Sequence, residues 1–113
     1  MNTMKLPNER FYQDHLQLHF KAVNNLRLAS GKIVDLINDD LVIEVDFMHK
    51  WGEAIGQSLI YAYETKKRPC ICFIYDYSKD SALLRSIMPV LYKLCIKVYT
   101  IGVFDRSINL IYD

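Results

Sequence analysis

The period of the hydrophobic pattern switches between helical and extended along the chain, and the switches predict nine elements in the order αβββαβαββ. Asn8 followed by Glu9 reads as a helix N-cap, opening a helix to about Lys21 with Tyr12, Leu16, Phe20 and Val23 on its inner side. Val23 to Ala29 reads as a short strand ended by a turn at Ser30-Gly31. Lys32 to Ile37 and Leu41 to Phe47 are two further strands. From Lys50 to Thr65, Trp51, Ala54, Ile55, Ser58, Leu59 and Ala62 repeat with the spacing of a helix core stripe. Lys50, Gln57, Tyr61 and Glu64 fall together on a neighbouring face of that helix. Pro69 ends a linker, and Cys70 to Tyr75 is an unbroken apolar run, as in a buried central strand. Asp80 or Ser81 caps a third helix to about Cys95, with Pro89 expected to kink it or mark a late start. Ile96 to Phe104 and Ile108 to Tyr112 are strands joined at Asp105-Arg106-Ser107.

The second and third strands depart from this simple patterning, because Asp35, Glu44 and Asp46 sit inside apolar, largely β-branched runs. Acids are depleted in strands and expensive to bury without a partner. A two-residue turn at Asp39-Asp40 sets Asp35 opposite Glu44 on one face, whereas a three-residue turn without a bulge separates them. Glu44 and Asp46 share a face in either case. The opposite face of that strand (Leu41, Ile43, Val45, Phe47) is wholly apolar, so the strand is expected to be covered on both sides. Three acids in adjacent strands suggest a cation with oxygen ligands, and such a cation suggests chemistry on phosphates.

At 113 residues, 51% of them apolar and 24% charged, the chain is read as a single globular domain spanning 1–113. Its net charge of +1 excludes a strong global attraction to nucleic acid, so DNA binding has to rely on a local patch. Lys66-Lys67-Arg68 is the best such patch, with Lys50 and Arg10 as additions. Cys70, Cys72 and Cys95 read as buried thiols in a reducing compartment; a zinc site completed by a histidine lacks a finger-like spacing. His15 and His19, one helical turn apart, have no evident third ligand and read as surface histidines. Met1 to Pro7 lacks the apolar core of a signal peptide, and no apolar run is long enough to span a membrane. A cytoplasmic location is expected.

The acids and the element order resemble the PD-(D/E)xK nuclease superfamily. Asp35 matches the first acid of its pattern and Glu44 the second. Gln57-x-x-x-Tyr61 is similar to the Gln-x-x-x-Tyr motif of the RecB-type branch, and Glu9 stands where many relatives supply another acidic ligand. The likeness covers residues 9 to about 75 and implies a restriction-endonuclease-like αβββαβ core: an α/β fold with a mixed central sheet flanked by helices on both faces. It implies a DNA endonuclease in which Asp35 and Glu44, with Asp46 and Glu9, hold Mg²⁺ or Mn²⁺. Water attacks the phosphodiester in line, oriented by Asp46 or Lys50, with Gln57 among the catalytic residues; Tyr61 joins the basic run Lys66, Lys67 and Arg68 as the expected DNA-binding residues.

Two positions depart from the family pattern: Asp46 stands at the usual lysine, and Val34 rather than proline precedes Asp35. Either Lys50 supplies the missing positive charge, or Asp46 binds a second ion, or the site is inactive. The alternative reading is thus a catalytically inactive nuclease fold kept as a DNA- or protein-binding module. So small a domain is expected to act as a homodimer or to be recruited by another protein.

Overall fold

The computed structural model describes residues 6–113; the expectation about the first residues falls largely on 1–5, which lie outside the described residues. The elements are α1 (Glu9–Phe20), β1 (Val23–Arg27), β2 (Ile33–Ile37), β3 (Leu41–Phe47), a 3₁₀ turn at Met48–Lys50, α2 (Trp51–Thr65), β4 (Arg68–Tyr75), α3 (Ser81–Lys93), β5 (Lys97–Gly102) and β6 (Ile108–Tyr112). The expected order αβββαβαββ is the observed one.

All six strands form one mixed sheet in sequence order. β1–β2, β2–β3 and β5–β6 pair antiparallel, while β3–β4 and β4–β5 pair parallel. Each parallel step is made through a helix, as a crossover requires. α2 and α3 pack on one face, where Ala54, Leu84, Ile87 and Leu91 meet Ile71, Phe73 and Val98. α1 covers the other, setting Tyr12, Leu16 and Phe20 against Leu36, Leu41, Ile43, Val45 and Cys72. β3 is therefore buried on both sides, which explains its apolar composition and isolates its two acids.

The hairpin between β2 and β3 fixes the register on which the site depends. Leu36 pairs with Ile43 and Ile37 with Val42, leaving Asp39-Asp40 as a two-residue loop. Asn38 builds that loop: its side-chain oxygen accepts from the Asp40 and Leu41 backbone N–H groups at 2.9 and 2.8 Å. Its amide also donates to the Phe20 carbonyl at 2.9 Å, tying the hairpin to the end of α1. One step beyond Leu36 and Ile43, the same register brings Asp35 across from Glu44.

Several boundaries differ from the sequence expectation for local reasons. Val23 is 57% exposed and belongs to β1, not to the inner face of α1. β4 starts at Arg68, so Pro69 lies within the strand, beside Val42, rather than ending a linker. α3 starts at Ser81 and runs through Pro89, which sits on its solvent side; a late start is excluded. Asp80 stands at the N-cap position, but its carboxylate accepts from the Asp76 backbone at 2.8 Å instead of capping the helix. Among the described residues, no helix is long and apolar enough to cross a membrane.

Candidate functional site

β-strand alternation sends Glu44 and Asp46 from β3 towards α2, on the face opposite Ile43 and Val45. They are 5% and 4% exposed, an unusual state for carboxyl groups. Asp35, on β2, joins them, and its Oδ2 accepts from the Val45 backbone N–H at 2.8 Å. A side chain thus takes a backbone hydrogen bond just beyond the Leu36–Ile43 pair of the β2–β3 ladder. Above the acids, α2 presents Ala54 and Ser58, small and fully buried, which let the helix approach the sheet. Gln57 and Tyr61 follow along the same helix.

The three acids, Gln57 and Tyr61 line a pocket of about 260 Å³. Asp35, Glu44 and Asp46 meet there with Glu9 from the first turn of α1. Lys50, Gln57 and Tyr61 close it from the α2 side. Every acid expected at the site, together with the expected lysine, glutamine and tyrosine, is therefore brought to one place. Glu53 and Ile33 also line it and were not foreseen. Glu53 lies one turn before Gln57, and that i, i+4 spacing was the available signal.

Burial, with crowding added, raises the carboxyl groups of Asp35, Glu44 and Asp46 above their ordinary range. Glu44 is pushed up to about 11, first by burial and then by Asp35 and Asp46 on either side. Asp46 is pushed up to about 7 by burial and by Glu9. Asp35 is also raised by burial, although the Val45 N–H and Glu44 oppose the shift. The proximity of the two carboxyl groups raises Glu44 and lowers Asp35, so that within the pair the proton is favoured on Glu44. Without a cation, the cluster holds protons at neutral pH.

The nearest compensating charge is Lys50. Its Nζ lies 2.9 Å from Glu9 Oε1, with both side chains partly exposed. Glu9 raises the Lys50 pKa, and Asp46 adds to the effect. The lysine at the start of the helix thus points its ammonium into the acidic pocket. Among the described residues no group of three His, Cys, Asp or Glu side chains forms a ready-made metal cage. The donor set nonetheless suits a hard cation, since it is all oxygen, and Mg²⁺ commonly takes only one or two carboxylates and fills its remaining positions with water and phosphate.

The basic run lies elsewhere. Arg68 is in register with Leu41, at the far end of β3 from Asp46, roughly 17 Å away at strand spacing. Lys67 donates to the Asp39 carbonyl at 2.7 Å, and Arg68 pairs with Asp113 at 3.2 Å. Lys66 ends α2 in a left-handed conformation. Two of the three cations are therefore engaged in holding the fold. Tyr61 is 7% exposed and clusters with Ile37 and Val42, so its ring is not a stacking platform for DNA. It serves as a wall of the pocket, where burial and Glu44 raise its pKa. Cys70 and Cys72 are buried as expected, but Cys95 is exposed just past the end of α3, contrary to that expectation; all three are free thiols. His15 and His19 are exposed on α1, against Phe11 and Phe20 respectively.

No family model matches the chain, and no solved structure matches it. Over 92 residues, 80% of the chain, it is 32% identical to a KilA-N domain-containing protein of Acanthamoeba polyphaga mimivirus. The chain spans about a quarter of that relative's length (25%).

Proposed function

We propose that the protein is a divalent-metal-dependent DNA nuclease whose centre is the pocket between β2, β3 and α2. The observation that carries this reading is the clustering of half-buried Asp35 with the buried Glu44 and Asp46, all three with raised pKa values and with Lys50 beside them to offset the charge. Burying a carboxyl cluster opposes folding, and such cost is characteristic of sites where the charge has a task.

Mg²⁺ or Mn²⁺ would be held by Asp35 and Glu44, with Asp46 beside them. When bound, a divalent ion polarises a phosphoryl oxygen and neutralises its charge. The remaining work falls to the chain's own groups. The Val45 N–H fixes the Asp35 carboxylate and leaves its other oxygen free. Asp46, with a pKa near neutrality, is suited to accept a proton from attacking water. Lys50 reaches the pocket from the helix start and supplies a cation for the charge that develops on the phosphate. Gln57 is placed to orient water or a phosphate oxygen by hydrogen bonding.

The second reading is a DNA- or protein-binding module without catalysis. The absence of a lysine at Asp46 favours it, and the likeness to a KilA-N domain-containing protein is compatible with a DNA partner for either reading. Cleavage assays on supercoiled, linear, single-stranded and branched DNA, in Mn²⁺ or in EDTA, separate the two. The nuclease reading expects cutting in Mn²⁺ alone, abolished in a folded Glu44→Gln variant. Failure to cut any of these substrates with metal bound leaves the binding module as the account.

A further inference from the structure

A second cavity, of about 440 Å³, opens where the carboxyl ends of β3, β4 and β5 converge. Its size lies in the range of small-molecule sites, and the carboxyl edge of parallel strands is where open α/β sheets place ligands. Its walls are apolar at Met48, Ile74, Leu83 and Val103. Phe47 and His49 also line it, their rings stacked at 6.0 Å and 25°. The polar groups are Asp76, Lys79 and Asp80. Asp76 is 9% exposed and accepts hydrogen bonds from the Ser78 N–H and hydroxyl at 2.9 and 2.6 Å, which hold its carboxyl below the usual range and hence ionised.

The two cavities share one stretch of chain. Asp46 and Lys50 line the acidic pocket, whereas Phe47, Met48 and His49, between them, line this one. Neighbouring strand residues point to opposite faces, so Asp46 and Phe47 serve different sides of the same edge. A flat aromatic and apolar lining suits a planar ring. An ionised carboxylate repels a phosphate and accepts from an amino group, which adenine, cytosine and guanine carry and thymine lacks. The exposed Lys79 is available to a backbone phosphate.

We infer that this cavity receives the unpaired, amino-bearing base of a nucleotide next to the phosphate at the acidic pocket. The inference rests on the nuclease reading for its substrate and directs the protein towards single-stranded or frayed DNA. Base and phosphate of one strand then straddle the carboxyl end of β3. Loss of one stacked base typically weakens binding by about 1–3 kcal/mol, or roughly 5- to 150-fold.

The test is fluorescence anisotropy with labelled hexanucleotides of adenine, of thymine, and of abasic sugar-phosphate, in Ca²⁺. Wild type is expected to bind adenine most tightly. His49→Ala is expected to weaken adenine binding at least fivefold without changing abasic binding, with thermal melting confirming its fold. Asp76→Asn is expected to narrow the preference for adenine over thymine. Equal affinity of wild type for adenine and abasic strands overturns the inference, as does undiminished binding by His49→Ala or no binding of any strand. The outcomes remain distinct from those of the nuclease reading. A protein that cuts DNA but ignores the base loses only this cavity; one that discriminates bases without cutting loses only the nuclease.

Discussion

Replacing Glu44 by glutamine is expected to stabilise the metal-free protein at neutral pH and to have little effect near pH 4.5. Glu44 is 5% exposed, and its folded pKa of about 11 compares with 4.5 for an unburied glutamate. At pH 7 the folded chain therefore retains a proton that the unfolded chain has released. The 2.5 units between 4.5 and 7 correspond to about 3 kcal/mol, at about 1.4 kcal/mol per unit. This figure requires only that the folded pKa exceed 7. The folded state binds more protons above pH 4.5, so stability falls as pH rises through that window. Glutamine ionises in neither state and removes the effect, less about 1 kcal/mol for a poorer hydrogen bond. The net gain of about 2 kcal/mol at pH 7 corresponds to roughly 8 °C in Tm for a chain of this size. Thermal melts of both proteins in EDTA at pH 4.5 and pH 7 measure it. Equal Tm differences at the two pH values, or a less stable variant at pH 7, would refute the reasoning by showing that Glu44 is ionised in the fold.

Lys50→Ala is expected to lower cleavage by about 10²–10³-fold with Mn²⁺ affinity little changed, as loss of one group stabilising the transition state typically does; wild-type turnover would remove Lys50 from the mechanism. Mn²⁺ affinity should rise with pH between 5 and 8, because an ion must displace protons from Asp46 and Glu44, whose pKa values are raised; calorimetry in two buffers of different ionisation enthalpy would detect the released protons, and their absence counts against the site. Lys21→Gly should stabilise the fold by roughly 1 kcal/mol, since Lys21 ends α1 at φ 50°, where a side chain is strained; urea melts report it, and a loss of stability contradicts the strain.

The site was legible where local rules govern it. Strand alternation alone placed Glu44 and Asp46 on one face, while Asp35 joined them only once the loop at Asp39-Asp40 was found to have two residues, a choice the sequence left open. The helix period likewise brought Lys50, Gln57 and Tyr61 to that side. Helix ends were legible to within about two residues, with Lys21, Thr65 and Cys95 expected and Phe20, Thr65 and Lys93 observed, although the left-handed conformations of Lys21, Lys66 and Cys95 carry no glycine to signal them. The partners of the basic run were not legible, for a non-local reason. Arg68 finds Asp113 across the sheet, and Lys67 finds a carbonyl in the β2–β3 loop, pairings invisible in a run of like charges. Tyr61 has two roles at once, packing against Ile37 and Val42 while walling the pocket, and its position on the helix reports only one. The second cavity draws on segments near residues 48, 76, 80 and 103, and only the parallel pairing of β3, β4 and β5 brings them together.

Titration of Mn²⁺ into the purified protein, followed by calorimetry or by the spin resonance of the free ion, bears most directly on the claim that the buried acids form a cation site. Wild type is expected to bind at neutral pH, with binding lost in Asp35→Ala and Glu44→Gln and retained in Lys50→Ala. No binding by wild type, or undiminished binding by Asp35→Ala and Glu44→Gln, would contradict the account.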